Sequence, residues 1–146
     1  MTTPRPEIDV LAYSPTANEV LAVECKSFLN SRGVVFQNGE FWKASTYKMF
    51  SDAKLRDTIL KATKRQLVSR GLCDAETRIT LGLATGKIAK STDRETLRSH
   101  FNSHGWRLFD DEWIRKQVRD LADSQYENDV AYMVAKLLHS GKKASS

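Results

Sequence analysis

Two short runs, Glu7–Tyr13 (EIDVLAY) and Glu19–Lys26 (EVLAVECK), are rich in β-branched and aliphatic residues and flank the turn-forming stretch Ser14-Pro-Thr-Ala-Asn18. The two runs most simply pair as an antiparallel hairpin. A turn centred between Thr16 and Ala17 pairs residues whose numbers sum to 33. Asp9 then faces Glu24, and Glu7 faces Lys26. Side chains alternate along a strand, so Val20, Ala22, Glu24 and Lys26 share one face and Leu21, Val23 and Cys25 share the other. Cys25 is accordingly expected in the core, turned away from the acids.

This register sets two carboxylates across from each other in apolar surroundings. Such a pair repels strongly unless a cation or a proton lies between its members. A divalent ion answers that need, and Mg²⁺ characteristically takes one or two carboxylates together with waters and phosphate oxygens. Lys26, two residues beyond Glu24 on the same face, is placed to assist an attacking water or to neutralise charge growing on a phosphate. These are the parts of metal-assisted phosphodiester hydrolysis.

Glu7-Ile-Asp9 on one strand and Glu24-Cys-Lys26 closing the next resemble the PD-(D/E)XK (restriction endonuclease-like) nuclease superfamily. The resemblance implies that Asp9 and Glu24 bind Mg²⁺ (Mn²⁺ as a substitute), that Cys25 offers its backbone carbonyl to the ion, and that Lys26 is catalytic. It also implies a DNA substrate, with RNA left open, and a core of four mixed strands flanked by helices. The motif covers about twenty residues; the architecture spans most of the chain. Ile8 stands where the family has proline. Members usually carry a helix and a strand before the first acid, and that helix often supplies another Glu. Only eight residues precede Asp9 here, so either the chain is a fragment, or the element is missing, or a partner protomer supplies it; Glu7, on the same strand face as Asp9, could partly substitute. A nuclease-fold module that binds nucleic acid or a protein without cutting is the alternative, and an unrelated α/β interaction domain is a third reading.

Asn38-Gly39 predicts a second, short hairpin within Gly33–Phe41. Ser51 is expected to cap a helix reaching about Arg70, with Gly71 as its stop and Leu55, Ile59, Ala62 and Leu67 as its inner stripe. Arg78–Leu83 reads as a strand, Thr92–His104 as a helix closed by Gly105, and Trp106–Phe109 as a strand. Asp110 caps a helix to about Ala122, and a last helix runs from about Gln125 to His139. Strands alternating with helices predict an α/β three-layer sandwich with a central mixed sheet, a single domain over 1–140, and a disordered tail at 141–146.

Charge narrows the partners. Between Phe41 and Arg70 eight Lys or Arg face two acids, whereas Asp110–Asp129 holds seven acids and three bases. A polyanion would favour the first segment, and Lys54, Lys61, Lys64 and Arg65 are the candidate backbone contacts; a merely solvated face is the plainer reading. Gln66 is either a flank residue of that helix or, as in related families, part of the catalytic set. Phe36, Phe41, Trp42, Tyr47 and Phe50, interleaved with Lys43 and Lys48, either cover a core edge or stack on exposed nucleobases. His100 and His104 lack a third zinc ligand. Gly82 to Lys87 is too short for a phosphate loop. Two cysteines exclude a disulfide scaffold, and neither a membrane span nor a secretory leader is visible, so a cytoplasmic protein is expected. Nucleases that cut both strands commonly dimerise, which leaves a homodimer or larger complex open.

Overall fold

The first hairpin adopts the expected register: β1 (Val10–Ser14) runs antiparallel to β2 (Glu19–Lys26), with Val10 opposite Val23 and Ser14 opposite Glu19. The computed structural model describes residues 7–28 and 30–124. The helix expected over Gln125–His139 and the tail at 141–146 lie outside them. The chain divides into two compact units, residues 1–108 and 109–146.

In the first unit, β3 (Phe36–Gln37) and β4 (Glu40–Phe41) form the second hairpin around Asn38-Gly39. Both turn residues have positive φ, at 53° and 78°, as a type I′ turn requires. A 3₁₀ turn at Ala44–Tyr47 and a one-turn helix, α1 (Lys48–Ser51), lead into the long helix α2 (Ala53–Ser69). Strand β5 (Arg78–Thr85), helix α3 (Ser91–Ser103) and strand β6 (Arg107–Phe109) follow. Four strands make one mixed sheet in the order β1-β2-β5-β6, with β2 and β5 parallel. The protein is thus an α/β chain built on a four-stranded mixed sheet with helices. Among the described residues no helix is long and apolar enough to cross a membrane.

The parallel pair matches Ala22 with Leu81, Glu24 with Leu83 and Lys26 with Thr85. Ala22, Leu81 and Leu83 join Val34, Phe36, Phe41, Tyr47, Phe50, Leu97 and Phe101 in one buried cluster. Phe41 stacks on Tyr47 with ring centroids 4.3 Å apart, and Phe101 meets Trp106 edge-on at 5.4 Å. The aromatic segment therefore covers the core, with Trp42 as its exposed exception. His100 and His104 share a helix face, as their spacing predicts, and His104 stacks on Trp106 at 4.2 Å.

Several boundaries differ from the sequence reading. β1 starts at Val10, three residues later than expected, because Asp9 lies in a bend. Asp52 caps α2, its carboxylate accepting the Leu55 N–H at 3.0 Å. Ser51 is occupied elsewhere, donating its hydroxyl to the carbonyls of Ala44 and Tyr47. Ala62 is exposed, and the inner side of α2 instead carries Leu55, Arg56, Ile59, Leu60, Thr63 and Leu67, all only half-buried. Arg56 serves the core: its guanidinium donates to the carbonyls of Met49 and Phe50 and lies 4.9 Å from the centre of the Trp106 ring.

The far end of the sheet is held by charge. Glu19, 7% exposed, accepts from Arg78 at 2.6 Å and lies 3.8 Å from Arg107, so one carboxylate joins β2, β5 and β6. The turn before it is fixed by Asn18, whose Oδ1 accepts the Thr77 hydroxyl at 2.7 Å and whose carbonyl accepts the Arg78 N–H. In the second unit, Asp110 caps α4 (Asp111–Asp123) by accepting the Trp113 N–H at 2.9 Å. Along α4, Arg115 pairs with Asp111 and Lys116 with Asp120, each one turn apart.

Two stability changes follow. Replacing the cap, Asp52→Ala, should cost about 1 kcal/mol in urea unfolding. The hydrogen bond from Arg78 chiefly, then that from Thr80, holds the Glu19 carboxyl below its usual pKa. A lowered folded pKa means that this stabilisation is full above the unfolded pKa and is lost as pH falls through the folded value. Glu19→Gln should therefore cost about 1–2 kcal/mol at neutral pH. Its loss of stability between pH 5 and about 3 should be shallower than that of the parent; parallel curves would refute the clamp.

Candidate active site

The alternation along β2 carries the core face straight into charge. Val20 and Ala22 are buried, and the next two positions on the same face are Glu24 and Lys26. By parallel register Glu24 stands beside Leu83 and Lys26 beside Thr85, and both neighbours are fully buried. Glu24 is thus delivered to an apolar position at the C-terminal end of the strand, where its side chain is 17% exposed. The Lys26 ammonium lies 2.8 Å from Glu24 Oε1. Glu24 Oε2 is buried and has no hydrogen-bond partner among the described residues.

Continuing the hairpin register past Val10 puts Asp9 opposite Glu24. Asp9 is exposed rather than buried, because β1 is an edge strand exposed along its whole length. Its Oδ2 accepts the Cys25 N–H at 2.7 Å. The carboxylate therefore takes the ladder position that a longer β1 would have filled with a backbone carbonyl.

Cys25 corrects a second expectation. Its thiol does face away from Glu24 by strand alternation, but it is exposed, because burial on this side of β2 ends at Val23. Partial burial chiefly, then the charges of Asp9 and Glu24, push the thiol pKa up. Both acids thus act on one point of the strand.

Tyr47 also belongs to this site, although its neighbours in sequence suggest only packing. Its ring centre lies 5.9 Å from the Lys26 ammonium. Burial, with the charge of Glu24 as the second cause, raises its pKa to about 12, so it stays a neutral phenol. No spacing rule links residues 26 and 47; the contact exists only through the fold of the segment between them.

Elsewhere the expected residues fare unevenly. Lys61, Lys64 and Arg65 line one shallow groove of about 660 Å³ together with Val68, Ser69 and Ala75. Lys54 is exposed two turns earlier on α2 and does not line it. Gln66 is exposed on the same helix. Among the described residues no hydrogen bond ties its amide to Asp9, Glu24 or Lys26. Nor do three or more His, Cys, Asp or Glu side chains gather anywhere among the described residues in a metal-holding group. The chain matches no known family model, no curated protein and no solved structure.

The electrostatics at Cys25 give a direct check. In a Cys73→Ser background, Asp9→Asn keeps an acceptor for the Cys25 N–H but removes the charge. Iodoacetamide should then alkylate Cys25 severalfold faster at pH 8, since a lower pKa exposes more thiolate. An unchanged rate would mean that Asp9 does not sit against this strand end.

Proposed function

We propose that this protein is a divalent-metal-dependent phosphodiesterase acting on DNA, with its site at the paired ends of β1 and β2. The observation that carries the reading is the state of Glu24. One oxygen holds Lys26 at 2.8 Å, while the other is buried without a donor among the described residues. An unsatisfied buried carboxylate oxygen costs free energy, and a cation beside it removes that cost.

The available donors fit Mg²⁺ or Mn²⁺. Glu24 Oε2, the Asp9 carboxylate and the Cys25 backbone carbonyl are all hard oxygens. The Lys26 carbonyl accepts the Gly86 N–H from β5, so by alternation the Cys25 carbonyl points to the β1 side, where Asp9 stands. Two carboxylates and a carbonyl leave coordination sites for water and phosphate oxygens, as Mg²⁺ prefers. When bound, the ion would polarise a phosphate oxygen and lower the pKa of a coordinated water. Lys26 holds a positive charge where negative charge grows on the phosphate, and Glu24 Oε1 fixes its direction. Tyr47, neutral to about pH 12, closes the inner side of this group without competing for the charge.

With Glu24-Cys25-Lys26 and Asp9 in register, we read the four-stranded mixed sheet as a restriction endonuclease-like core of the PD-(D/E)XK type. The groove of Lys61, Lys64 and Arg65 supplies a sequence-independent phosphate contact. A second reading, a module that binds nucleic acid without cutting it, draws on Asp9, which spends one oxygen on the Cys25 N–H as a strand-end cap.

Labelled single-stranded DNA, duplex DNA and RNA incubated with Mg²⁺ or Mn²⁺ separate the two. Cleavage should require the metal and stop with chelator. Glu24→Gln, Asp9→Asn and Lys26→Ala should each lower it by on the order of 100-fold or more. Full cleavage by Lys26→Ala would sink the proposal, and binding without cleavage under every metal would leave the second reading.

A further inference from the structure

A separate cleft of about 670 Å³ opens beside the same end of the sheet, lined by Arg32, Gln37, Trp42, Lys87, Lys90 and Asp93 among others. Its walls are tied to the strand end described above. The Val34 N–H donates to the Lys87 carbonyl at 3.0 Å, and Ala89 returns a bond to Val34 at 2.8 Å. Gly33 packs against Lys87 so tightly that an added Cβ would lie 2.6 Å from its carbonyl oxygen; with φ at 83°, the position requires glycine. One residue before Lys87, the Gly86 N–H donates to the Lys26 carbonyl. Cleft and acids therefore share the carboxyl ends of a parallel strand pair, where open α/β sheets hold their ligands.

Three kinds of group meet in this cleft. Arg32, Lys87 and Lys90 make it cationic. Trp42 presents a large apolar ring at 57% exposure, with the Lys43 ammonium 4.6 Å from the ring centre. Asp93, in the first turn of α3, is only 2% exposed, yet its Oδ2 has no hydrogen-bond partner among the described residues. The helix N-terminus favours the charge of Asp93, but that field is not a hydrogen bond. The buried oxygen still asks for an N–H or O–H donor.

We infer that the cleft binds one unpaired nucleotide of a nucleic-acid strand. Its phosphate meets Arg32, Lys87 and Lys90, its base stacks on Trp42, and an amino group of the base donates to Asp93. Duplex DNA keeps its base faces stacked on one another, so only a single-stranded or splayed nucleotide can use the tryptophan. The carboxylate favours bases bearing an amino group over thymine. This deepens the phosphodiesterase proposal by naming a single-stranded substrate, and the assignment of the cleft as a substrate subsite rests on that reading; binding in the cleft does not.

Binding is measured by fluorescence anisotropy in chelator, so that no cleavage occurs, using 5′-labelled oligo(dC), oligo(dT) and a duplex of equal length. The parent should bind oligo(dC) more tightly than oligo(dT), and both more tightly than the duplex. Trp42→Ala, a surface change, should weaken single-strand binding about 10-fold and leave duplex binding unchanged. Lys90→Met should lower the salt dependence by about one phosphate contact. Asp93→Asn, checked for folding by circular dichroism, should erase or reverse the preference for oligo(dC). Competition with dCMP tells a strand from a free nucleotide: a competitor as potent per site as the oligonucleotide would overturn the strand assignment. Indifference of single-strand affinity to Trp42→Ala, or duplex binding at least as tight, would overturn the inference whatever the cleavage assay returns. Lost cleavage with intact cleft binding would instead count against the phosphodiesterase proposal alone.

Discussion

The parallel pairing of β2 with β5 is the constraint on which the rest of this structure depends. Its register sets Ala22 beside Leu81 and, two residues on, Glu24 beside Leu83. A strand with a buried face cannot slip by one residue without turning that face outward. Once the apolar positions are seated, the last two positions on that face are committed, although their side chains are charged. The cost of holding Glu24 against a fully buried leucine is thus imposed by the packing of Val20, Ala22 and Leu81.

β2 begins and ends with a glutamate, and the two are treated differently. Glu19, at the start, is met by Arg78 and lies near Arg107, and its pKa falls accordingly. Glu24, near the end, has one oxygen on Lys26 and one with no hydrogen-bond partner among the described residues. A chain that can supply two arginines to one acid is able to satisfy a buried carboxylate. The contrast supports reading Glu24 as an acceptor of something the described residues do not provide. Asp93 on α3 is comparable: it is buried beside a cationic cleft, and its Oδ2 has no hydrogen-bond partner among the described residues.

What could be read from the sequence was what local pattern controls. The hairpin register follows from turn position and alternation, so Val10 opposite Val23 was accessible from the residues alone. The Asn38-Gly39 turn and the cap at Asp110 likewise depend on a few neighbouring residues. Features set by long-range cover were not legible. Cys25 is apolar enough for a core and alternates correctly, yet among the described residues burial on that face ends at Val23. Ser51 and Asp52 are both good cap residues, and the choice fell to Asp52 because Ser51 is drawn back to Ala44 and Tyr47. The cleft gathers residues 32, 42, 87 and 93 from four separate segments. No periodicity connects them, and Lys87 and Asp93 taken singly look like ordinary surface and helix-start residues.

Asp9 joins these two lines of argument. Sequence pairing puts it opposite Glu24, but its bond to the Cys25 N–H comes from β1 starting only at Val10, and its exposure from lying at the head of an exposed edge strand. A backbone carbonyl at that place would satisfy the N–H equally well and carry no charge. The carboxylate does the same structural work while bringing a second negative charge to the end of β2, where Glu24 already lacks a partner for one oxygen. Capping alone would not require an acid here; asparagine or one more strand residue would serve. An acid at this position raises the local need for a cation, and Lys26, already engaged with the other oxygen of Glu24, meets only part of it.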